Sequence, residues 1–322
     1  MKLFYFNAFS IFLIFIVLIS CNDSPEKTSL EKLPPDFDFS TIKDDDMGAS
    51  IRYGKELIEN TAYFIGPKGV AGNYLGNKMN CQNCHLDAGT KPFGLNFYKS
   101  HKIYPQYRGR EGQILTLAQR INNCIERPHS GIPLPLDSKE MIAMLCYIKW
   151  IGEQVNEAHL TGSLQDIKYI NRPADPEKGA LIYERECKSC HGANGEGLMK
   201  TDDISFEYPP LWGPESYQPG SSMHRVIKSA MFIKANMPDG VDYKNPQLSD
   251  AEALDVAAFI NNDSLHQRPK RTGSAHYPKI EVKPIDYDIG PYIDSFPAHQ
   301  HKYGPFLPII DAHKRNGWPV VF

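Results

Sequence analysis

The chain has 322 residues, of which 41% are apolar and 23% charged; this excludes a disordered polymer and suits about two ordinary domains. Its 35 Lys and Arg against 38 Asp and Glu give a formal charge of −3, so no general basic footprint exists and nucleic acid is excluded as a partner.

Residues 3–20, LFYFNAFSIFLIFIVLIS, form an apolar run behind Lys2 that ends at Leu18-Ile19-Ser20-Cys21, before the polar stretch NDSPEKTSLEK. A basic start, an apolar stretch and a small-residue boundary predict a signal peptide over 1–20. Leu-x-Ser-Cys resembles a bacterial lipobox, which would leave a lipid on Cys21. The competing reading is an uncleaved membrane helix, because the run is close to spanning length. The expectation is an exported protein, periplasmic or cell-surface, that meets the membrane only through this anchor. Residues 21–46 are expected to form a flexible tether.

The first globular domain is expected over 47–170. Gly54-x-x-x-Ile58 opens it on a helix, followed by FIGPKGVAGNYLGNKMN, whose Gly and Asn content predicts a loop. Cys81-Gln-Asn-Cys84-His85 comes next, and Cys187-Lys-Ser-Cys190-His191 repeats it further on. The C-x-x-C-H spacing marks covalent c-type haem attachment: two thiols reach the two vinyl groups and the following His becomes an iron ligand. In an exported chain the seven cysteines would first suggest disulfides, but two such motifs in matching contexts point to two covalently bound haem c groups.

The repeat extends beyond the motifs. Asp137-Ser-Lys-Glu140 and Ser249-Asp-Ala-Glu252 each read as a capping box opening a helix, with Tyr147 and Phe259 at equivalent places. Ile142 matches Leu254 and Ile148 matches Ile260, an apolar stripe of helical period, while Cys146 falls opposite Ala258 and reads as a small core residue. A linker at Asn171-Arg-Pro-Ala-Asp-Pro176 separates the copies, and Gly179-x-x-x-Tyr183 opens the second, expected over 171–265. These helices resemble the terminal helices of class I cytochrome c domains, where a glycine lets two helices cross closely. The fold class implied is all-α, two such domains in tandem. Residues 266–322 are rich in proline and aromatics and show little periodicity, which predicts an extended tail packed over the domains.

The second axial position sets a haem's potential. In the second copy Asn236-Met237-Pro238 makes Met237 the expected ligand, ahead of Met223, Met231 and His224. The first copy has no methionine at the corresponding place, where Cys124 stands in Arg120-Ile-Asn-Asn-Cys-Ile-Glu-Arg127. Spacing alone leaves Cys124 level with His129, Met141 and Met144, and a core cysteine or a disulfide to Cys146 as bland alternatives.

Taken together, Asn80-CQNCHLDAGTKPF93, YPQYRGR110, RINNCIERPHSG131, ANMP238 and Gln300-His-Lys-Tyr-Gly-Pro-Phe306 resemble the dihaem thiosulfate dehydrogenase family of bacterial cytochromes c. That resemblance implies oxidation of two thiosulfate ions to tetrathionate, in a direction set by the haem potentials. It implies His85 and Cys124 at the active haem, where the cysteine sulfur leaves the iron to hold a sulfane or thiosulfate adduct. His191 and Met237 then belong to a haem that passes electrons to a redox protein, a small cytochrome c or a high-potential carrier. Thiosulfate is a dianion, so Arg120 and Arg127, flanking Cys124 by one turn on either side, are the expected substrate cations and would keep its thiol ionised. Arg108 and Arg110 suit haem propionates equally well. Where the family often places a hydroxyl residue after the Glu-Arg pair, this chain has Pro128, with Ser130 as a candidate substitute. Asn236 beside Met237, where some members carry lysine, argues for plain His/Met ligation. A non-catalytic electron relay and a peroxidase-like dihaem enzyme are the alternatives.

Overall fold

The structure, a computed structural model, describes Met1 and residues 32–270 and 277–322. The chain divides into two compact units, Met1–Lys32 and Leu33–Phe322, and the second is the one described below. The expected signal segment and Cys21 lie outside the described residues. Among those described, no helix is long and apolar enough to cross a membrane.

The first half of the unit runs through α1 (Asp46–Glu59), α2 (Thr61–Ile65), α3 (Leu86–Gly89), α4 (Ser100–Ile103), α5 (Leu117–Glu126) and α6 (Lys139–Gln154), with a hairpin of β1 (Gln106–Arg108) and β2 (Gln113–Leu115) before α5. The second half has α7 (Pro176–Glu186), α8 (Lys188–His191), α9 (Val226–Asn236) and α10 (Asp250–Ile260), plus the short pair β3 (Leu198–Met199) and β4 (Phe206–Tyr208). The tail adds α11 (Ala298–Tyr303) and α12 (Phe306–Arg315).

Two helix crossings organise the halves, α1 on α6 and α7 on α10. Each is close because a glycine stands at the contact. A Cβ on Gly54 would lie 2.1 Å from Ala143 O and 2.7 Å from Tyr147 Cβ. A Cβ on Gly179 would lie 2.0 Å from Asp255 O and 2.8 Å from Phe259 Cβ. The aromatic that the sequence pairs in the two copies is thus the one each glycine touches. Around the crossings lie two apolar cores, one with Leu57, Ile65, Met141, Tyr147 and Ile151, the other with Ile182, Ile227, Ala253, Leu254 and Ala257. Burying each such large side chain contributes about 1.5–3 kcal/mol against chain entropy.

Three expectations need correction. First, α6 is capped by Ser138, which accepts from Met141 N, and not by Asp137; Ser249 and Glu252 do form the reciprocal box. Second, the segment 33–46 is not a free tether. Phe37 and Phe39 pack with tilted rings against Trp150, and Leu160 N donates to Leu33 O, because these aromatics pack more favourably against α6 than in water. Third, the tail is not extended throughout. Phe306, Ile309, Ile310 and His313 recur at helical spacing on α12 and join Ile285 against the second core. His301 Nε2 and His313 Nε2 both bond the Asp294 carboxylate, at 3.0 and 2.8 Å, which knits the tail to itself.

Candidate active site

The first crevice is walled by Cys81, Cys84 and His85 from the first C-x-x-C-H motif, by Arg120, Asn123, Cys124 and Arg127 from α5 and its end, and by Met144 and Ile148 of α6. His85 Nδ1–H donates to Leu95 O at 2.5 Å, which leaves Nε2 for the crevice. There the ring is close enough to the Cys124 thiol to help lower its pKa.

Helix α5 explains why Cys124 stands where it does. Thr116 and Gln119 cap its start reciprocally, Gln119 Oε1 accepting from Thr116 N at 2.8 Å and Thr116 Oγ1 from Gln119 N at 3.3 Å. Ile125 faces the core, which turns Arg120 and Cys124, one helical turn apart, towards the crevice together. Arg120 Nη1 donates to Cys124 Sγ at 2.9 Å.

The thiol's acidity follows from this contact. Burial alone would raise it, as it raises Cys81, Cys84 and Cys187 to about 12. At Cys124 burial is outweighed by the charge of Arg120, by His85 and by the charge of Arg127, and the pKa falls to about 6. A thiolate is therefore the main form at neutral pH.

Arg127 lines the crevice but does not bond the thiol. Its Nη1 pairs with Glu111 Oε1 at 3.0 Å, so its reach to Cys124 is through charge alone. Arg110 Nη1 donates to Gly220 O at 2.8 Å and its guanidinium lies 5.5 Å from the Tyr277 ring and 5.4 Å from the Tyr287 ring. Arg108 lines the crevice as well. Of the rival sulfur and nitrogen donors, Met144 and His129 line the crevice and Met141 does not. His129 Nδ1 is held by Asn77 Oδ1 at 3.1 Å and its Nε2 lies 4.0 Å from Cys81 Sγ, and burial pushes its pKa down to about 4. Cys124 and Cys146 are both free, so the disulfide does not form. Ser130 adopts a left-handed backbone and its buried Oγ has no partner; it does not line the crevice.

Part of the wall was illegible in the sequence. Gly220, Ser221, Ser222 and Arg225 from the second half and Tyr277 from the tail close the same crevice. Arg225 is buried against Asp286 through its Nε at 2.8 Å. No local pattern could announce these contacts, because they arise only when the halves dock.

The second crevice is walled by Cys187, Cys190, His191 and Met237. His191 Nδ1–H donates to Pro209 O at 2.8 Å, again leaving Nε2 for the crevice. Met231 belongs to the core, and His224 is spent on Asp263 at 2.9 and 3.1 Å. Met223 instead lines both crevices, as do Met79 and Cys84, and these three form a shared wall. Each crevice thus offers two thiols at vinyl spacing, a ring nitrogen fixed by a backbone carbonyl, and a further sulfur donor. This donor set fits haem c in both.

Comparison with known proteins agrees. Residues 74–155 match the SoxA/TsdA cytochrome c domain and residues 176–264 match the cytochrome c family. A thiosulfate dehydrogenase of Thiomonas intermedia is 35% identical, over 75% of this chain and 73% of its own length. One of Allochromatium vinosum is also 35% identical, over 67% of this chain and 79% of its own. The chain belongs to the thiosulfate dehydrogenase family. A solved member, thiosulfate dehydrogenase TsdBA of Marichromatium purpuratum in its as-isolated form, superposes with a TM-score of 0.63 at 31% identity. The match covers 72% of this chain, which spans about half (50%) of that longer one. Family membership and the two cytochrome c domains give this thiosulfate dehydrogenase homologue two covalently bound haem c groups, and its fold is two cytochrome c domains in tandem.

Proposed function

We propose that the protein oxidises two thiosulfate ions to tetrathionate in the crevice of His85 and Cys124, and that the electrons leave by way of the crevice of His191 and Met237. The relatives named thiosulfate dehydrogenase support the substrate. The observation that carries the site is the part-buried Arg120–Cys124 contact at 2.9 Å. A relay cytochrome gains nothing from a thiol driven to its anionic form; an enzyme that must hold a sulfur atom does.

Joining two thiosulfates makes one S–S bond and releases two electrons, the number that two one-electron haems accept. The protein's residues supply the rest. Cys81, Cys84, Cys187 and Cys190 would hold the haems and His85 and His191 would ligate them. Cys124 would form an S–S bond to the sulfane sulfur of the first thiosulfate as two electrons pass to the two haems. The second thiosulfate would then attack that sulfane sulfur, making tetrathionate and releasing Cys124 as the thiolate. Arg120 keeps that sulfur anionic, and Arg127 provides positive charge for the dianion. Met237, a thioether, would favour the ferrous state of a haem held there and make the second site the exit. The acceptor is a redox protein. The apolar leader and Cys21 support export and a lipid anchor, so Cys21→Ala should release the protein from membranes.

The test is stoichiometric. Oxidised holoprotein, thiosulfate and an artificial acceptor should yield tetrathionate at half the thiosulfate consumed. Intact, reducible haems without turnover in either direction would instead leave the non-catalytic relay.

A further inference from the structure

Glu111 stands at the tip of the β1–β2 hairpin, between Arg110 and Gly112, whose φ of +68° lets its N–H turn back to Arg108 O at 2.8 Å. The same hairpin therefore delivers Arg108, Arg110 and Glu111 to one place. One oxygen of Glu111, Oε1, accepts from Arg127 Nη1 at 3.0 Å and from Asn123 Nδ2 at 3.1 Å. Both partners line the first crevice; Glu111 itself does not, and lies behind them. The pair is well shielded, with side-chain exposures of 12% for Arg127 and 14% for Glu111.

Among the described residues five arginines line the crevice, and they are unequal in what balances them. Arg225 is met by Asp286 and Arg120 by the Cys124 thiolate. Arg127 is met by Glu111, whose charge also acts on Arg120. Arg110 is held by a carbonyl and two aromatic faces. A carboxylate set directly behind a dianion site has an energetic sign of its own: it pins two wall residues and opposes the charge of the ligand.

We propose that Glu111 is a positioning residue and counter-charge of the thiosulfate crevice, holding Arg127 and Asn123 in place while weakening the grip on small dianions so that the product can leave. This rests on the thiosulfate reading above. Tetrathionate and thiosulfate are both dianions, so a wall of unopposed arginines would retain product as firmly as substrate. Uniform binding of that kind lowers KM without raising kcat.

The experiment uses the ferric holoprotein with both haems, and sulfate as a non-reacting dianion read by titration calorimetry beside thiosulfate turnover. Glu111→Gln keeps an acceptor for Asn123 and Arg127 but removes one negative charge. A unit charge acting on a dianion at partly buried range is expected to tighten sulfate binding and lower the thiosulfate KM by about tenfold at low salt. That gain should collapse at high ionic strength, and kcat should fall with stronger inhibition by tetrathionate. Glu111→Asp, which keeps the charge, should stay within about twofold of the parent. Glu111→Ala removes the charge without placing an amide in the turn, so it should also tighten sulfate, with a larger loss of kcat because both wall residues are released. It serves in place of the Gln variant should that one not assemble its haems.

Unchanged or weaker sulfate binding in the neutral variants, with haems intact, would overturn the inference, and so would a gain that salt does not remove. Failure of the functional reading looks different: the parent protein then turns over no thiosulfate, while the sulfate titrations still report the charge of Glu111.

Discussion

Arg120 Nη1 and Cys124 Sγ, one helical turn apart on α5, meet at 2.9 Å in the wall of the first crevice. A charge-assisted hydrogen bond of this kind is worth about 1.5–3 kcal/mol, and the charge of Arg120, with His85 and Arg127, reverses the effect of burial on the thiol. Arg120→Gln should therefore raise the Cys124 pKa and lower kcat/KM for thiosulfate by about 10- to 100-fold. Arg120→Lys should recover part of the loss. Steady-state kinetics across pH 5–9 tests this. Activity in the Gln variant should recover as pH rises and the thiol ionises; a pH-independent loss would detach the arginine from the acidity of the cysteine.

Met237→Ala should separate the two crevices. Thiosulfate binding is expected to stay near the parent value, while steady-state transfer to the acceptor falls by about tenfold or more as the second site loses its thioether donor. Rapid mixing would show the protein reduced by thiosulfate but slow to re-oxidise. Loss of thiosulfate binding would contradict the division of labour.

The helix crossings predict where the fold breaks. Gly54→Ala puts a Cβ 2.1 Å from Ala143 O, a backbone atom that cannot swing away. A destabilisation of about 2–3 kcal/mol is expected, from overpacking at a tight contact. Thermal unfolding of the holoprotein measures it, and Gly179→Ala should behave alike because its Cβ would meet Asp255 O at 2.0 Å.

The tail should detach in acid. Burial works against ionisation of Asp294, but hydrogen bonds from His313, the Phe296 N–H and His301 outweigh it and hold the carboxyl below its ordinary value of 3.8. The unfolded tail thus takes up a proton first as pH falls, so this stabilisation is complete above about pH 5 and is lost progressively as pH falls below that and through the lowered folded-state pKa. Limited proteolysis of the tail from pH 3 to 7 should show that loss. Asp294→Asn should be more susceptible at pH 7 and should change less with acid.

The internal repeat was legible because it is local. The haem motifs, the glycines of the crossings, the aromatic partners Tyr147 and Phe259 and the cap at Ser249 all follow from spacing within a few turns of chain. Cys124 was legible as a candidate, and its pairing with Arg120 followed from helical period. Arg127 was half legible: its position predicted the crevice but not its capture by Glu111, which comes from a hairpin. Arg225 and Tyr277 could not be read, since each reaches the first crevice only through docking of distant segments. The packing of Phe37 and Phe39 was missed because polar and acidic neighbours masked two half-buried aromatics, and α12 because Pro308 sits inside its first turn.

The most direct measurement is thiosulfate-dependent acceptor reduction by the Cys124→Ala holoprotein, made beside a determination of its haem content. The Arg120–Cys124 account predicts two haems still attached and no thiosulfate turnover above background. Two haems with the full parent rate would contradict it and remove Cys124 from the active site.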